Sequence, residues 1–200
     1  PLRATTNGAN WHAYSGNDGS ITNGGGVAWI GAGAEDIGAT NVYAAQAGLF
    51  YLGVDINVIQ AGSSATGTYT FGFLQGSSTM AGRMHIDDID ATTYRLGLSG
   101  DGGAVIFSTN VLTEGVSYRV VLGYDNSTDS HTLWVNPSIG DSATPNLSIS
   151  EAVTASPNGV FFRQAAPFQS GTASWNADNI VVATDFASAV VPEPTTFAIF

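Results

Sequence analysis

This chain of 200 residues predicts an all-β fold, an antiparallel two-sheet β-sandwich of the jelly-roll kind. Three observations carry the prediction. Short apolar runs alternate with polar residues at the strand period of two, and amphipathic helical periodicity is hard to find. About eleven or twelve such runs recur at a spacing of roughly 8–12 residues, as in sandwiches and barrels. Between them, 25 glycines and clusters of Ser, Thr and Asn supply turns.

The elements follow in order. Gly26–Ile30 reads as a strand behind a triple glycine, and Gly38–Gln46, short and Ala-rich, as a helical turn. Gly48–Ile59 is a long strand with Phe50, Leu52, Val54, Ile56 and Val58 on one face and Tyr51, Asp55 and Asn57 on the other. Thr68–Leu74 sets Tyr69, Phe71 and Phe73 against Thr68, Thr70 and Gly72. Ala81–Ile86, Tyr94–Ser99 and Ala104–Ser108 come next, between turns rich in Gly, Asp and Thr.

The clearest hairpin joins Ser117–Tyr124 to Ser130–Asn136 through the polar loop Asp125–Asp129. Tyr118, Val120, Leu122 and Tyr124 share a face, matched by Leu133 and Val135 across the loop. Asn136-Pro137 ends it, because proline cannot donate to a ladder. Val160–Arg163 and Asn179–Ala183 read as later strands.

Composition limits the partners. Sixteen acidic residues stand against five arginines and no lysine, for a net charge of −11, and only 10% of residues are charged. Nucleic acid is excluded, since its binders carry a basic face, and anionic membrane surfaces are disfavoured. Acidity remains compatible with calcium, neutral glycans or solubility alone. The lack of cysteine rules out disulfides and cysteine-bound zinc. No stretch reaches the roughly 18 apolar residues of a membrane span.

Two regions resemble known families. The ending Val191-Pro192-Glu193-Pro194-Thr195-Thr196 and its short apolar run resemble the PEP-CTERM sorting signal of bacteria. That resemblance implies export, processing by an exosortase-type enzyme, and a cell-surface or extracellular destination. A complete signal continues into a membrane span and an arginine cluster, whereas this sequence ends at Phe200, four residues into the run. Membrane attachment is therefore expected only through an anchor beyond it. Pro1 opens the sequence with neither Met nor an apolar signal region, so export implies a signal peptide outside it. Residues 1–186 are expected to form the sandwich and 187–200 a linker with the truncated signal.

Tyr94-Arg95-Leu96-Gly97-Leu98-Ser99, Tyr118–Asp125, Thr132–Pro137 and Asp178-Asn179-Ile180-Val181-Val182 resemble laminin-G-like, concanavalin A-like jelly rolls. The stretch from Tyr14 through the triple glycine to Trp29 is similar to their N-terminal region. The resemblance implies lectins, adhesion domains or glycosidases, among which a fold cannot choose. Its glycosidases place carboxylates at alternate positions of one strand, close enough for retaining chemistry. Glu35, Glu114, Glu151 and Glu193 stand isolated, so no catalytic residue is assigned.

Several residues remain as candidates. By position in the resemblance, Asp178 would ligate a structural Ca²⁺ with oxygens from Asn17–Asn23, or else begin its strand in an Asx-type turn. Asp87, Asp88 and Asp90 offer hard oxygens for Ca²⁺, or form a solvated turn. Trp11 and Trp175, in Asn-, Ser- and Ala-rich surroundings, are candidates for stacking on sugar rings, or else pack internally. Trp134, out of phase with Leu133 and Val135, points away from one sheet's core. His12, His85 and His131 lack metal spacing, and His131 is expected to be structural. The expected role is a non-catalytic surface or matrix protein, with a glycan or extracellular polymer as ligand. The alternatives are a self-associating envelope protein and a glycoside hydrolase or lyase.

Overall fold

The computed structural model describes residues 11–16, 21–24, 27–30, 35–39, 45, 48–61, 68–76, 79–153, 155–164 and 174–191, with backbone alone for the strands before residue 40. The strands are β1 (Trp11–Gly16), β2 (Ile21–Gly24), β3 (Val27–Ile30), β4 (Glu35–Ala39), β5 (Leu49–Gln60), β6 (Thr68–Gln75) and β7 (Thr79–Asp90). They continue as β8 (Thr93–Ser99), β9 (Ile106–Phe107), β10 (Leu112–Thr113), β11 (Ser117–Asp125) and β12 (Ser130–Val135). Last come β13 (Leu147–Ser150), β14 (Gly159–Gln164), β15 (Ser174–Ala183) and a helix, α1 (Phe186–Val190).

Two antiparallel sheets result. Sheet A runs β1-β4-β14-β6-β7-β8-β10 with β9 on β8, and sheet B runs β13-β12-β11-β5-β15-β3-β2. The expected sandwich is confirmed. The structure also places strands where short, weakly alternating segments had suggested none, at β1, β2, β4, β10 and β13. The helical turn expected over Gly38–Gln46 is contradicted at its start, because β4 runs to Ala39 between β1 and β14. Residues 40–44 lie outside the described ones.

The core fills the space between the sheets. Phe50, Leu52, Val54, Ile56 and Val58 of β5 are fully buried with Val120, Leu122 and Tyr124 of β11. They face Phe71 and Phe73 of β6, Met84 and Ile86 of β7, and Leu96 and Leu98 of β8. Phe50 meets Phe73 edge-on at 4.7 Å, joining one sheet to the other. Each such side chain contributes about 2 kcal/mol by leaving water. The hairpin keeps its expected register, with Leu122 opposite Leu133 and Val120 opposite Val135.

A second apolar layer lies outside sheet B. Tyr51, Val121 and Trp134 point away from the main core, as expected for Trp134, and α1 covers them with Phe186, Ala189 and Val190. Asp185 caps α1 by accepting the Ser188 N–H at 2.9 Å. The linker expected from Ala187 is thus corrected: packed structure continues to Val190, because those apolar residues find a sheet face to cover. Gly53 permits the close approach, since a Cβ there would collide with the Ala189 carbonyl and the Arg119 guanidinium. Among the described residues no helix is long and apolar enough to cross a membrane.

Arg119 ties this layer down. It donates to the Ala189 carbonyl from Nε (3.0 Å) and Nη2 (2.6 Å), and from Nη1 to Asp55 (3.1 Å) and the Asn179 carbonyl (2.7 Å). Arg119→Ala is expected to cost about 2 kcal/mol, since it strands the carbonyl of buried Ala189 and removes the pairing of Asp55. That corresponds to a fall of roughly 6 °C in Tm for a domain of this size, with a change in tryptophan fluorescence as α1 loosens over Trp134. An unchanged melt and spectrum would show that the contact holds nothing.

Candidate functional site

The site begins with two interruptions of strand alternation. Between β6 and β7, Tyr69 pairs with His85 but Phe71 with Met84, so Thr70 is an extra residue on β6. Gly72 pairs with Arg83 and Phe73 with Ala81, so Gly82, at φ 59°, is an extra residue on β7. Each bulge reverses the phase of its strand. Ala81 and Met84 both reach the core while Arg83 and His85 lie on the outer face of sheet A. Tyr69, expected to share a face with Phe71 and Phe73, instead packs outside against Leu74, Met80 and Phe161. Thr70 is held by its hydroxyl donating to the Met84 carbonyl at 3.2 Å.

On that outer face Tyr69 collects cations. The Arg163 guanidinium of β14 lies 3.9 Å from the Tyr69 ring centroid and that of Arg83 lies 4.9 Å away, both within cation–π range. Arg83 also pairs with Asp101 at 2.5 Å. One strand further, Arg95 pairs with Asp87 at 2.7 Å and lies 4.6 Å from the Phe107 ring centroid. Gly97 makes room for Phe107, because a Cβ there would press on its ring. The result is a strip of arginines and aromatics across β14, β6, β7 and β8.

His85 lies buried in this strip, its Nε2 2.9 Å from the Ser99 hydroxyl and its Nδ1 without a partner among the described residues. Burial above all, then the Arg83 and Arg163 charges, lowers its pKa to about 4. His131 is the structural histidine expected: it stacks on Tyr124 at 4.7 Å and lies 3.1 Å from the Glu151 carbonyl. Burial lowers its pKa as well.

The residues singled out in the sequence are scattered. Trp175 is corrected: it is 1% exposed, packed 6.0 Å from Phe71 and 5.9 Å from Phe162, and offers no face to a sugar. Its polar sequence surroundings misled because the neighbours that bury it come from distant strands. Trp11 stands on β1 opposite Ala39, and its side chain lies outside the described residues.

The acidic run at Asp87–Asp90 stays on β7, which continues through Asp90, and only Asp90 borders the Ala91-Thr92 turn. Asp87 turns to Arg95, while Asp90 accepts the Thr92 N–H at 2.9 Å. Asp88 has its pKa raised by burial, then by the Asp87 and Asp90 charges. Asp178 sits at a register break in β15, opposite Asp55, and accepts the Asn179 N–H at 2.8 Å. Asp55 is engaged by Arg119 and by the Asn179 amide at 2.6 Å. Among the described residues no three acidic or histidine side chains gather where a metal could sit. The 17–20 part of the expected partner segment lies outside them. Val191 closes α1 by donating to the Ala187 carbonyl at 3.1 Å, and Pro192, Glu193 and Pro194 lie outside the described residues.

Other polar concentrations serve the fold. Glu151 accepts three backbone N–H groups, from Gly100 (2.7 Å), Asp101 (3.1 Å) and Gly103 (2.9 Å). Burial raises its pKa, but these bonds outweigh it and leave it below the usual range. A recess of about 420 Å³ opens near Gln75, Asn126 and Asp129. Its polar atoms are turned to the backbone, Gln75 accepting from Ser156 at 2.8 Å and Asn126 from Gly48 at 2.5 Å.

No family model and no curated protein sequence matches the chain. Solved structures do match it in fold. One is a botulinum neurotoxin type C structure from work on its interaction with two ganglioside molecules, with a TM-score of 0.54, 10% identity, 88% of this chain and 43% of that one. A sialidase gives 0.53 and 13% over 82% of this chain and 16% of its own. A polysaccharide lyase of family 18 gives 0.52 and 8% over 86% and 93%. The chain spans less than half of the toxin and sialidase chains. These likenesses show a jelly-roll sandwich fold.

The two histidines make stability pH-dependent. An unfolded histidine titrates near 6.5, while folded His85 resists protonation to about 4. Below pH 6.5 the unfolded chain therefore binds protons first, and stability present above 6.5 is lost as pH falls toward 4. Tm is expected to drop between pH 7 and 4.5, and His85→Gln to flatten that slope. A slope unchanged by the substitution would show that His85 is not its source.

Proposed function

We propose that the protein is an exported, non-catalytic cell-surface or matrix domain that binds glycans through the outer face of sheet A. The observation that carries the reading is the strip joining Tyr69 to Arg83 and Arg163. Two bulges build it, and bulges beside functional sites commonly re-aim side chains. Structures sharing the fold are named for gangliosides, a sialidase and a polysaccharide lyase, which supports a sugar as the ligand. The resemblance of Val191-Pro192-Glu193-Pro194 to a sorting signal supports export and an exosortase-type processing partner.

Support for a non-catalytic role comes from the carboxylates. Glu151 is held by backbone N–H groups, Glu114 accepts the Ala61 N–H at 2.6 Å, and Asp87 and Asp101 pair with arginines. A second reading, self-association into an envelope structure, is favoured by exposed Ile59, Ile89, Val111 and Val116. Their segments meet at one rim, where Gly115 donates to the Val58 carbonyl and Glu114 to that of Thr92.

A glycan array read together with sedimentation separates these readings. Hits weakened by Tyr69→Ala are expected, and loss on Trp11→Ala would extend the site to β1. A blank array with concentration-dependent assembly would favour the second reading, and cleavage of any polysaccharide would overturn the non-catalytic one.

A structural calcium remains part of the proposal. The ladder sets Ala177 opposite Ala28 and Ala28 opposite Asn23, so Asp178 lies beside the β2–β3 end that was expected to share a cation. EDTA is expected to lower Tm, and Asp178→Ala to remove that effect; identical melts with and without chelator would eliminate the calcium.

A further inference from the structure

The charge inventory names the class of ligand this strip suits. At a net charge of −11 and with no lysine, the protein repels anions at long range. Any anion it holds must be met by arginine at close quarters. Of its five arginines, Arg119 is spent on Asp55 and two backbone carbonyls, and Arg3 lies outside the described residues. The other three, Arg83, Arg95 and Arg163, all belong to one face of one sheet.

All three side chains remain partly exposed. A guanidinium carries five N–H donors in a planar fork that matches carboxylate or sulfate. Arg83 gives Nη2 to Asp101 and keeps 17% of its side chain exposed. The Arg95 side chain is 42% exposed even with Asp87 on its Nε. From β14 to β8 the strip crosses three strand spacings, about 14 Å, long enough for several points of contact along a chain. The Tyr69 and Phe107 rings lie within cation–π range of the guanidinium groups and help to hold them in place.

Resting on the glycan-binding reading above, we propose that the ligand is an acidic polysaccharide. Its carboxylate or sulfate groups seat on Arg83 and Arg163 over Tyr69, with Arg95 extending the strip one strand further. Neutral sugars lack the groups these cations would engage.

Calorimetry with a galacturonate oligosaccharide, its fully methyl-esterified form, and a sulfated galactan oligosaccharide tests this. Binding to the galacturonate or the sulfated chain, weakening as salt rises, is expected, with none to the ester. Whichever acidic chain binds identifies the acid group. Arg163→Gln and Arg95→Gln are each expected to weaken binding at least about tenfold, as loss of one partner in a charge pair does, with the melting curve retained. Should Arg83→Gln fail to fold for want of its Asp101 pair, these two variants still decide the matter. Equal binding of ester and acid overturns the charge inference and leaves glycan binding standing. A blank result with these probes and the whole array overturns both, and acid binding undiminished in both variants overturns this face as the site.

Discussion

The first half of β5 is buried on both faces, and the rest of the structure is arranged around that constraint. Its inner side chains, Phe50 to Val58, fill the space between the sheets. On its outer face, Tyr51 lies under α1 and Gly53 lets the helix backbone touch the strand. A strand buried on one side needs only an opposing sheet. One buried on both needs a cover, and here the chain supplies it from its own C-terminal end. Arg119, reaching from β11 to β15 and α1, converts that cover from apolar contact into a fixed geometry.

The two sheets treat their outer faces differently. Sheet B covers part of its outer face, at Tyr51, Val121 and Trp134, with a helix and spends one arginine to secure it. Sheet A leaves a strip of charged and aromatic side chains on its outer face, built by two extra residues, Thr70 and Gly82. Without them strict alternation would send Tyr69 and Arg83 inward, where a guanidinium would face a large desolvation cost. The bulges thus serve core packing and surface chemistry together. His85, neutral at ordinary pH, adds a polar group to this face without adding charge.

Much of the fold was legible because alternation is local. The faces of β5, the register of the β11–β12 hairpin, and the outward phase of Trp134 all follow from neighbours two residues apart. The misreadings share one cause. Alternation sets Tyr69 on the face of Phe71 and Phe73, because a bulge is visible only against a partner strand. Trp175 stays open between sugar stacking and internal packing because Phe71 and Phe162, which bury it, stand far away in sequence. Arg83 and His85 already stood at alternate positions, but nothing local announced that Arg163, from a distant strand, would join them.

By itself, then, the sequence determined the class of fold, the strand faces, the absence of disulfide chemistry and the net acidity. Each depends on composition or on spacing within a few residues. The tertiary structure alone decided which aromatics face water, where the carboxyl-terminal residues stop being linker, and that three of five arginines share one face. Those outcomes depend on pairing between strands remote in sequence and on the bulges that pairing imposes, and period-two alternation carries no information about either.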